Sequence, residues 1–215
     1  LVGSEMCIRD RYSKIPLQFL PNNGSAPIYI RYSDGSLQKG NGNGWGVFLV
    51  EDNFVEKTFL ATDKRRTELI HKDIYDQTGK LVTPSPVRGY FSAKYVDPDF
   101  IGERTSARPF LIRYSDIALV FAEAAGPDEG LALVNEIRRR AGIPELPEGM
   151  SLAEFRKAVI QERALELAFE GNRLYDLRRT ASVTATVPEA TKLSEEQAAF
   201  YPIPQRELDL NPNVK

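Results

Sequence analysis

Ile160-Gln161-Glu162-Arg163-Ala164-Leu165-Glu166-Leu167-Ala168-Phe169-Glu170-Gly171-Asn172-Arg173 is followed closely by Asp176-Leu177-Arg178-Arg179. Apolar and charged residues alternate here at helical spacing, with Val159, Leu165, Phe169, Leu174 and Leu177 as the apolar members. Glu162, Glu166 and Glu170 fall at i, i+4 and i+8, which puts three carboxylates on one face of a helix. Arg163, Arg173 and Asp176 interleave with them. Carboxylates stacked one turn apart flank each other and not a substrate. Nearby guanidinium groups would hold them ionised. The pattern predicts hydrogen-bonded ion pairs between packed helices, with no catalytic residue among them.

Upstream, Ser151 to Glu154 has the S-x-x-E spacing of a capping box, so a long helix should start there and run through Phe155 to Leu177. Before it, Leu131, Val134, Ile137 and Ala141 mark one apolar helix face that ends at Gly142, with Asp128 as its expected cap. Before that, Phe110 to Ala125 reads as a helix stopped by Gly126-Pro127. Short turns between these segments predict an αα-hairpin stack. Arg113, Asp116, Glu123 and Arg138 are expected to join the same ion-pair network.

The composition changes near residue 105. Residues 12–104 are rich in Gly, Asn, Pro and aromatics, with short apolar groups such as Ile28-Tyr29-Ile30 and Val47-Phe48-Leu49-Val50 between turn formers. Residues 105–215 form the helical region, with a loop-like tail from Thr180 in which Pro202, Pro204 and Pro212 oppose a regular helix. The expected organisation is one fragmentary domain: loop-rich ligand-binding part at 12–104, helical region at 105–215. Residues 1–11, LVGSEMCIRDR, read as a non-native, adapter-like segment. Cys7 lies within it, without the small preceding residue or apolar stretch of a lipoprotein signal.

Several function classes are disfavoured. The formal charge of -2 gives no basic excess for nucleic acid, and Arg138-Arg139-Arg140 would be splayed over different helix faces. One cysteine excludes an internal disulfide. One histidine, His71, far from Cys7, makes a metal site improbable, and His71 reads as a surface residue. Gly40-Asn41-Gly42-Asn43-Gly44 lacks the Lys-Ser/Thr of a phosphate loop. No cofactor and no metal are expected, and no apolar run approaches the roughly 20 residues of a spanning helix.

Aromatic side chains offer the better binding clue, because sugar C–H faces stack on rings while amides take hydroxyls. Trp45 and Asn43 sit in the Gly-Asn loop, and Tyr29, Tyr32 and Tyr90 are further ligand-binding candidates. Packing of Trp45 beneath the loop as a core anchor is the competing reading.

Four blocks in register resemble the C-terminal signature of the SusD/RagB family. They are Arg113-Tyr114-Ser115-Asp116 with Ala122-Glu123-Ala124; Asn135 with Arg138, Arg140, Ala141 and Gly142; the Glu162–Arg179 stretch; and Tyr201-Pro202-Ile203-Pro204-Gln205 with Glu207. Asp63-Lys64-Arg65-Arg66 and Lys94-Tyr95 are similar to upstream family steps, with Lys64 in place of Pro, and Ser115 stands where Ala is usual. The resemblance implies a mainly α fold: a tetratricopeptide-like helix-pair scaffold with a loop-rich, short-strand ligand-binding part. It implies a non-enzymatic protein of Bacteroidota that is lipid-anchored on the outer face of the outer membrane, its anchor outside this sequence. Such a protein captures oligosaccharides for a TonB-dependent, SusC-like transporter. Alternatives are a peptide-binding RagB-like member and a helical-repeat adaptor that binds only proteins.

Overall fold

A computed structural model describes residues 15–24, 26–102, 105–199 and 203–211. The adapter-like segment with Cys7, and Tyr201, Pro202 and Pro212 of the tail, lie outside the described residues. The chain divides into two compact units, 1–170 and 171–215. The compositional change near residue 105 falls inside the first.

The first unit begins with a short helix, α1 (Ile15–Gln18), and a hairpin. Strand β1 (Ile28–Arg31) pairs antiparallel with β2 (Leu37–Gly40), register Ile28↔Gly40 to Arg31↔Leu37. Helices α2 (Asp52–Thr58) and α3 (Lys64–Leu69) follow. Strand β3 (Ile70–His71) then pairs with β4 (Phe91–Ser92), which runs into a 3-10 turn at Ala93–Tyr95. Leu20, Ile28, Ile30, Ile74, Phe91 and Ala93 form the core of this part. Val47, Phe48 and Leu49 are irregular and exposed. His71, expected at the surface, is instead part-buried between the rings of Tyr32 and Phe91, at 5.9 and 6.1 Å. Burial holds its pKa below the usual histidine value.

Three helices complete the unit: α4 (Tyr114–Ala125), α5 (Pro127–Ala141) and α6 (Leu152–Glu166). Their shared core is Ala118, Leu119, Ala122, Val134, Ile137, Phe155 and Val159. A Cβ on Gly130 would lie 2.7 Å from the Ala122 Cα, so this residue has no side chain because two helix backbones meet there. Gly126, not Asp128, is the N-cap of α5, and Pro127 opens the helix. Proline loses no hydrogen bond at that position and its ring presets the helical φ, so the helix starts before Asp128. Asp128 instead supplies negative charge in the first turn. The capping box at Ser151 is formed in both directions: Ser151 Oγ accepts from Glu154 N, and Glu154 Oε2 accepts from Ser151 N.

Two expectations are corrected. The last long helix does not reach Leu177. It ends at Glu166, Phe169 has φ +70°, and a new helix, α7 (Arg173–Arg179), begins after Gly171. The tail is not loop-like either. Its second-unit elements are α8 (Val183–Thr186), a 3-10 turn at Pro188–Lys192, α9 (Glu195–Ala199) and α10 (Gln205–Leu210). Pro188 opens the 3-10 turn, and Pro204, read from the sequence as opposing a helix, is instead the N-cap of α10. Leu177, Val183, Ala190 and Ala198 form this unit's core.

Between α5 and α6 the loop is held by one side chain. Asn135 Nδ2 donates to the Leu146 carbonyl at 3.1 Å, and its Oδ1 accepts from Leu146 N at 2.7 Å. Asn135→Ala strands both groups of the loop and is expected to destabilise the protein by roughly 1–3 kcal/mol. Urea titration followed by circular dichroism checks this.

Candidate functional site

The three glutamates of the deciding stretch converge, although the helix carries only two of them. Glu162 and Glu166 project from α6, and Glu170 returns to them from the turn beyond it. Arg65, in the first turn of α3, donates from Nη1 to Glu162 at 2.6 Å and to Glu166 at 3.2 Å. Its Nε and Nη2 hold Asp63 at 2.9 and 2.8 Å. Arg138, in the last turn of α5, donates to the other oxygen of Glu162 at 2.7 Å. Arg113, at the N-cap of α4, donates to Glu166 at 2.7 Å and to both oxygens of Glu170, at 2.8 and 2.9 Å. Arg140 also donates to Glu166, and Lys94 to Glu170. Arg163 pairs with Asp116 at 2.8 Å.

The end of α6 is held through its backbone as well. Lys94 Nζ donates to the carbonyls of Glu166 and Ala168 at 2.9 and 3.0 Å. Arg113 Nη2 donates to the Glu166 carbonyl at 2.7 Å, and the Tyr95 hydroxyl to the Phe169 carbonyl at 2.8 Å. Two cations and one phenol thus satisfy carbonyls at and just beyond the C-terminus of the helix.

Glu123 is placed differently: it lies towards the end of α4, where its backbone carbonyl accepts from Arg156 Nε. Arg173 and Asp176 lie on α7 in the second unit, where Asp176 accepts from Arg179 at 2.8 and 3.0 Å. Conversely, Asp63, Arg65, Lys94 and Arg140 belong to the network though the sequence reading did not assign them to it. Their signal was present, because all four lie in or beside the blocks that carried the family resemblance.

The electrostatics are those of a fixed structural assembly. Burial pushes the Glu166 carboxyl up, but the charges and hydrogen bonds of Arg113 and Arg140 outweigh it and hold the pKa at about 2, below the ordinary 4.5. Burial likewise opposes the charge on Arg113, and hydrogen bonds to Glu170 with the Glu166 charge raise its pKa regardless. Such a carboxylate keeps no proton to donate near neutral pH. A cleft of about 380 Å³ opens beside the network, bounded in part by Leu69, Phe110, Lys94 and Arg113. The cations on its wall are already bonded to Glu166 and Glu170. No group of three or more His, Cys, Asp or Glu able to hold a metal ion exists among the described residues.

The aromatic candidates lie in three settings. Trp45 and Asn43 belong to the Gly40–Gly46 loop, which is clamped to α1 and the segment after it. Trp45 N donates to the Leu17 carbonyl at 2.7 Å and Gly46 N to that of Leu20 at 2.9 Å. A Cβ on Gly42 would lie 1.6 Å from the Ala26 carbonyl oxygen, and one on Gly44 2.2 Å from that of Leu20. The loop therefore tolerates only glycine at these two places. Trp45 is 42% exposed, so it is not a buried anchor. Asn43 Nδ2 donates to the Gly102 carbonyl at 2.7 Å. Tyr29 and Tyr32 belong to the hairpin. Tyr29 exchanges backbone hydrogen bonds with Tyr75, and the Tyr32 hydroxyl donates to Gln38. Tyr90 precedes β4, its carbonyl accepts from Val50 N at 2.9 Å, and Lys72 Nζ lies 4.8 Å from its ring centre.

Glu166→Gln leaves the buried Arg65 and Arg113 under-compensated and is expected to destabilise the protein at pH 7 by roughly 3–5 kcal/mol. The folded pKa is depressed, so the stabilisation from Glu166 is complete above about pH 4.5 and is lost as pH falls towards 2. Denaturant unfolding of both proteins at several pH values between 7 and 2 should show the gap narrowing across that window.

The SusD family model matches residues 71–215. SusD-like protein P2 of Formosa agariphila is 36% identical over 162 residues, which is 64% of this chain and 32% of that protein. Among solved structures, surface glycan-binding protein A of Bacteroides thetaiotaomicron superposes with a TM-score of 0.65 at 23% identity, over 94% of this chain and 45% of that one. A laminarin-binding SusD-like protein superposes with a TM-score of 0.60 at 21% identity, over 91% and 42%. At these identities the superpositions establish the fold: mainly α, as the sequence pattern implied. The chain spans about a third of the length of its curated relative. No helix among the described residues is long and apolar enough to cross a membrane. With the family model covering most of its length and all four motif blocks, the chain belongs to the SusD family.

Proposed function

We propose that this chain is part of a surface protein that captures oligosaccharides by binding alone and passes them to a TonB-dependent, SusC-like transporter. The protein is held at the outer face of the outer membrane and performs no chemistry on its ligand. The observation that carries the reading is the half-exposed indole of Trp45 on a loop whose backbone is fixed on both sides. A ring presented this way loses little freedom when a sugar face stacks on it. Family membership supports the reading. So do the names of two structural relatives, a surface glycan-binding protein and a laminarin-binding one.

Asn43, on the same loop, supports the indole by fixing the loop: its Nδ2 donates to the Gly102 carbonyl, and its Oδ1 is buried away from solvent. Tyr29, Tyr32 and Tyr90 contribute only if a ligand reaches beyond the loop. Tyr32 is tied to Gln38, and Tyr90 lies beside Lys72.

Native affinity gels containing laminarin, other soluble glucans or mixed plant and algal polysaccharides test the idea. Retardation in at least one gel is expected, and Trp45→Ala should reduce it tenfold or more without changing the melting temperature. Retardation unaffected by the substitution removes Trp45 from the site. A folded protein that ignores every glycan but binds a peptide library moves the function to peptide capture. Binding of proteins alone moves it to an adaptor.

A further inference from the structure

Asn-Gly occurs three times, at Asn23-Gly24, Asn41-Gly42 and Asn43-Gly44. Asparagine is a thermolabile residue. Its side-chain carbonyl carbon is open to attack by the backbone nitrogen of the next residue. Glycine, with no Cβ, hinders that approach least. The reaction needs the backbone to swing the two groups together, and it needs water to finish. The three pairs are alike in sequence and differ in how the fold holds them.

Asn41 is fully buried, and a Cβ on Gly42 would lie 1.6 Å from the Ala26 carbonyl oxygen. Asn43 is fastened through Nδ2 to the Gly102 carbonyl at 2.7 Å, and its Oδ1 is buried. Gly44 is walled in by the carbonyls of Leu20 and Pro21. Neither pair rotates without displacing the segment it packs on. Every contact that shields them is made within this chain, so the shielding holds whatever adjoins the chain in a longer protein. Asn23 is different. It is part-exposed in the turn before β1, and its Nδ2 donates to the Ala26 and Pro27 carbonyls only at 3.4 Å. Gly24 has φ +61°, with nothing within 4 Å of where a Cβ would stand. One bond restrains it: Gly24 N donates to Asn22 Oδ1 at 2.9 Å, at an exposed place where water can take over.

We propose that Asn23 is a site of spontaneous deamidation in the folded protein, and that the fold shields Asn41 and Asn43 from the same reaction. The Gly24 nitrogen bonds to the side-chain carbonyl carbon of Asn23 and closes a succinimide. The side-chain amide leaves as ammonia, taking the proton from that nitrogen. Water then opens the ring at either carbonyl. The product is aspartate, or isoaspartate, in which the main chain runs through the former side chain and is one methylene longer. Either product places a new negative charge beside the Ala26 and Pro27 carbonyls. The shielding keeps the new charge and the extra methylene out of the Gly40–Gly46 loop, which carries Trp45.

Incubation of the chain at mildly alkaline pH, folded and in guanidinium chloride, with mass spectrometry of tryptic peptides over several weeks, is the test. Peptides spanning 15–31 and 40–57 separate Asn23 from the other two, and fragmentation tells Asn41 from Asn43. All three should convert in denaturant, which sets the intrinsic rate of each pair. Relative to that rate, Asn23 in the folded chain should convert at least tenfold faster than Asn41 or Asn43. Asn23→Gln should remove most of the acidic species that isoelectric focusing shows in the aged parent, with circular dichroism and melting temperature unchanged. A folded chain in which Asn41 or Asn43 converts as fast as Asn23 overturns the proposal. So does one in which Asn23 stays intact while the denatured chain converts.

Discussion

Glu166 ends α6 with both its carboxylate and its carbonyl engaged from elsewhere in the chain. Arg65 arrives from α3, Arg113 from the start of α4 and Arg140 from the end of α5, while Lys94 meets the carbonyl. Arg65, Arg113 and Lys94 are charges taken largely out of water, while Arg140 reaches in from an exposed position. Such charges are expensive to bury and are tolerated only when paired and hydrogen-bonded. The pairs therefore add little net stability over an apolar core of the same shape. What they supply is register, because a shift of any one element leaves a buried charge without its partner. Two of the four cations come from the loop-rich part and two from α4 and α5, so the same contacts tie residues 12–104 to these helices within the first unit. Leu165 adds an apolar join, packing with Val50, Val55, Phe59 and Ile70.

The same contacts explain where α6 stops. Nothing in its sequence demands an end at Glu166: Leu167, Ala168 and Phe169 are all compatible with helix. The carbonyls of Glu166, Ala168 and Phe169 accept from Lys94, Arg113 and Tyr95, while the chain turns at Phe169 with φ +70°. A bulky residue in that conformation is uncommon and persists where its surroundings over-determine it. Here two side chains more than seventy residues upstream hold the carbonyls on either side of the turn.

This separates what could be read from the sequence from what could not. The stop at Gly126, the capping box at Ser151 and the apolar faces of α4 and α5 depend on neighbours within a few residues, and they were legible. So was the clustering of carboxylates at Glu162 and Glu166. The break after Glu166 was not, because an i, i+4, i+8 series is satisfied equally by one helix or by a helix and a returning turn. Arg65 and Lys94 meet α6 across 97 and 72 residues, and periodicity carries no information at that range. Helix α10 was missed because Pro204 was read as a breaker, whereas it stands at the N-cap, where a proline interrupts no helical hydrogen bond. The exposure of Trp45 was left open, since a glycine-rich loop can fold over its aromatic residue or display it.

The loop and the network are also connected. The Phe48 ring lies 5.3 Å from Phe19, Phe19 stacks on Tyr95 at 5.0 Å, and Tyr95 lies 6.2 Å from Phe110. Arg113, which grips Glu166, sits 5.9 Å from the Phe110 ring. A row of packed rings thus runs from the segment just after Trp45 to the centre of the ion-pair network. Rings in contact transmit position because they cannot be compressed and have few rotamers. On the proposed function this matters for affinity. A shallow sugar-binding surface gains little from each contact, so it depends on not having to order its own loop when ligand arrives. A scaffold of helix pairs fastened by buried charges is costly to deform. It is suited to holding such a loop still while the ligand, and not the protein, supplies the variation.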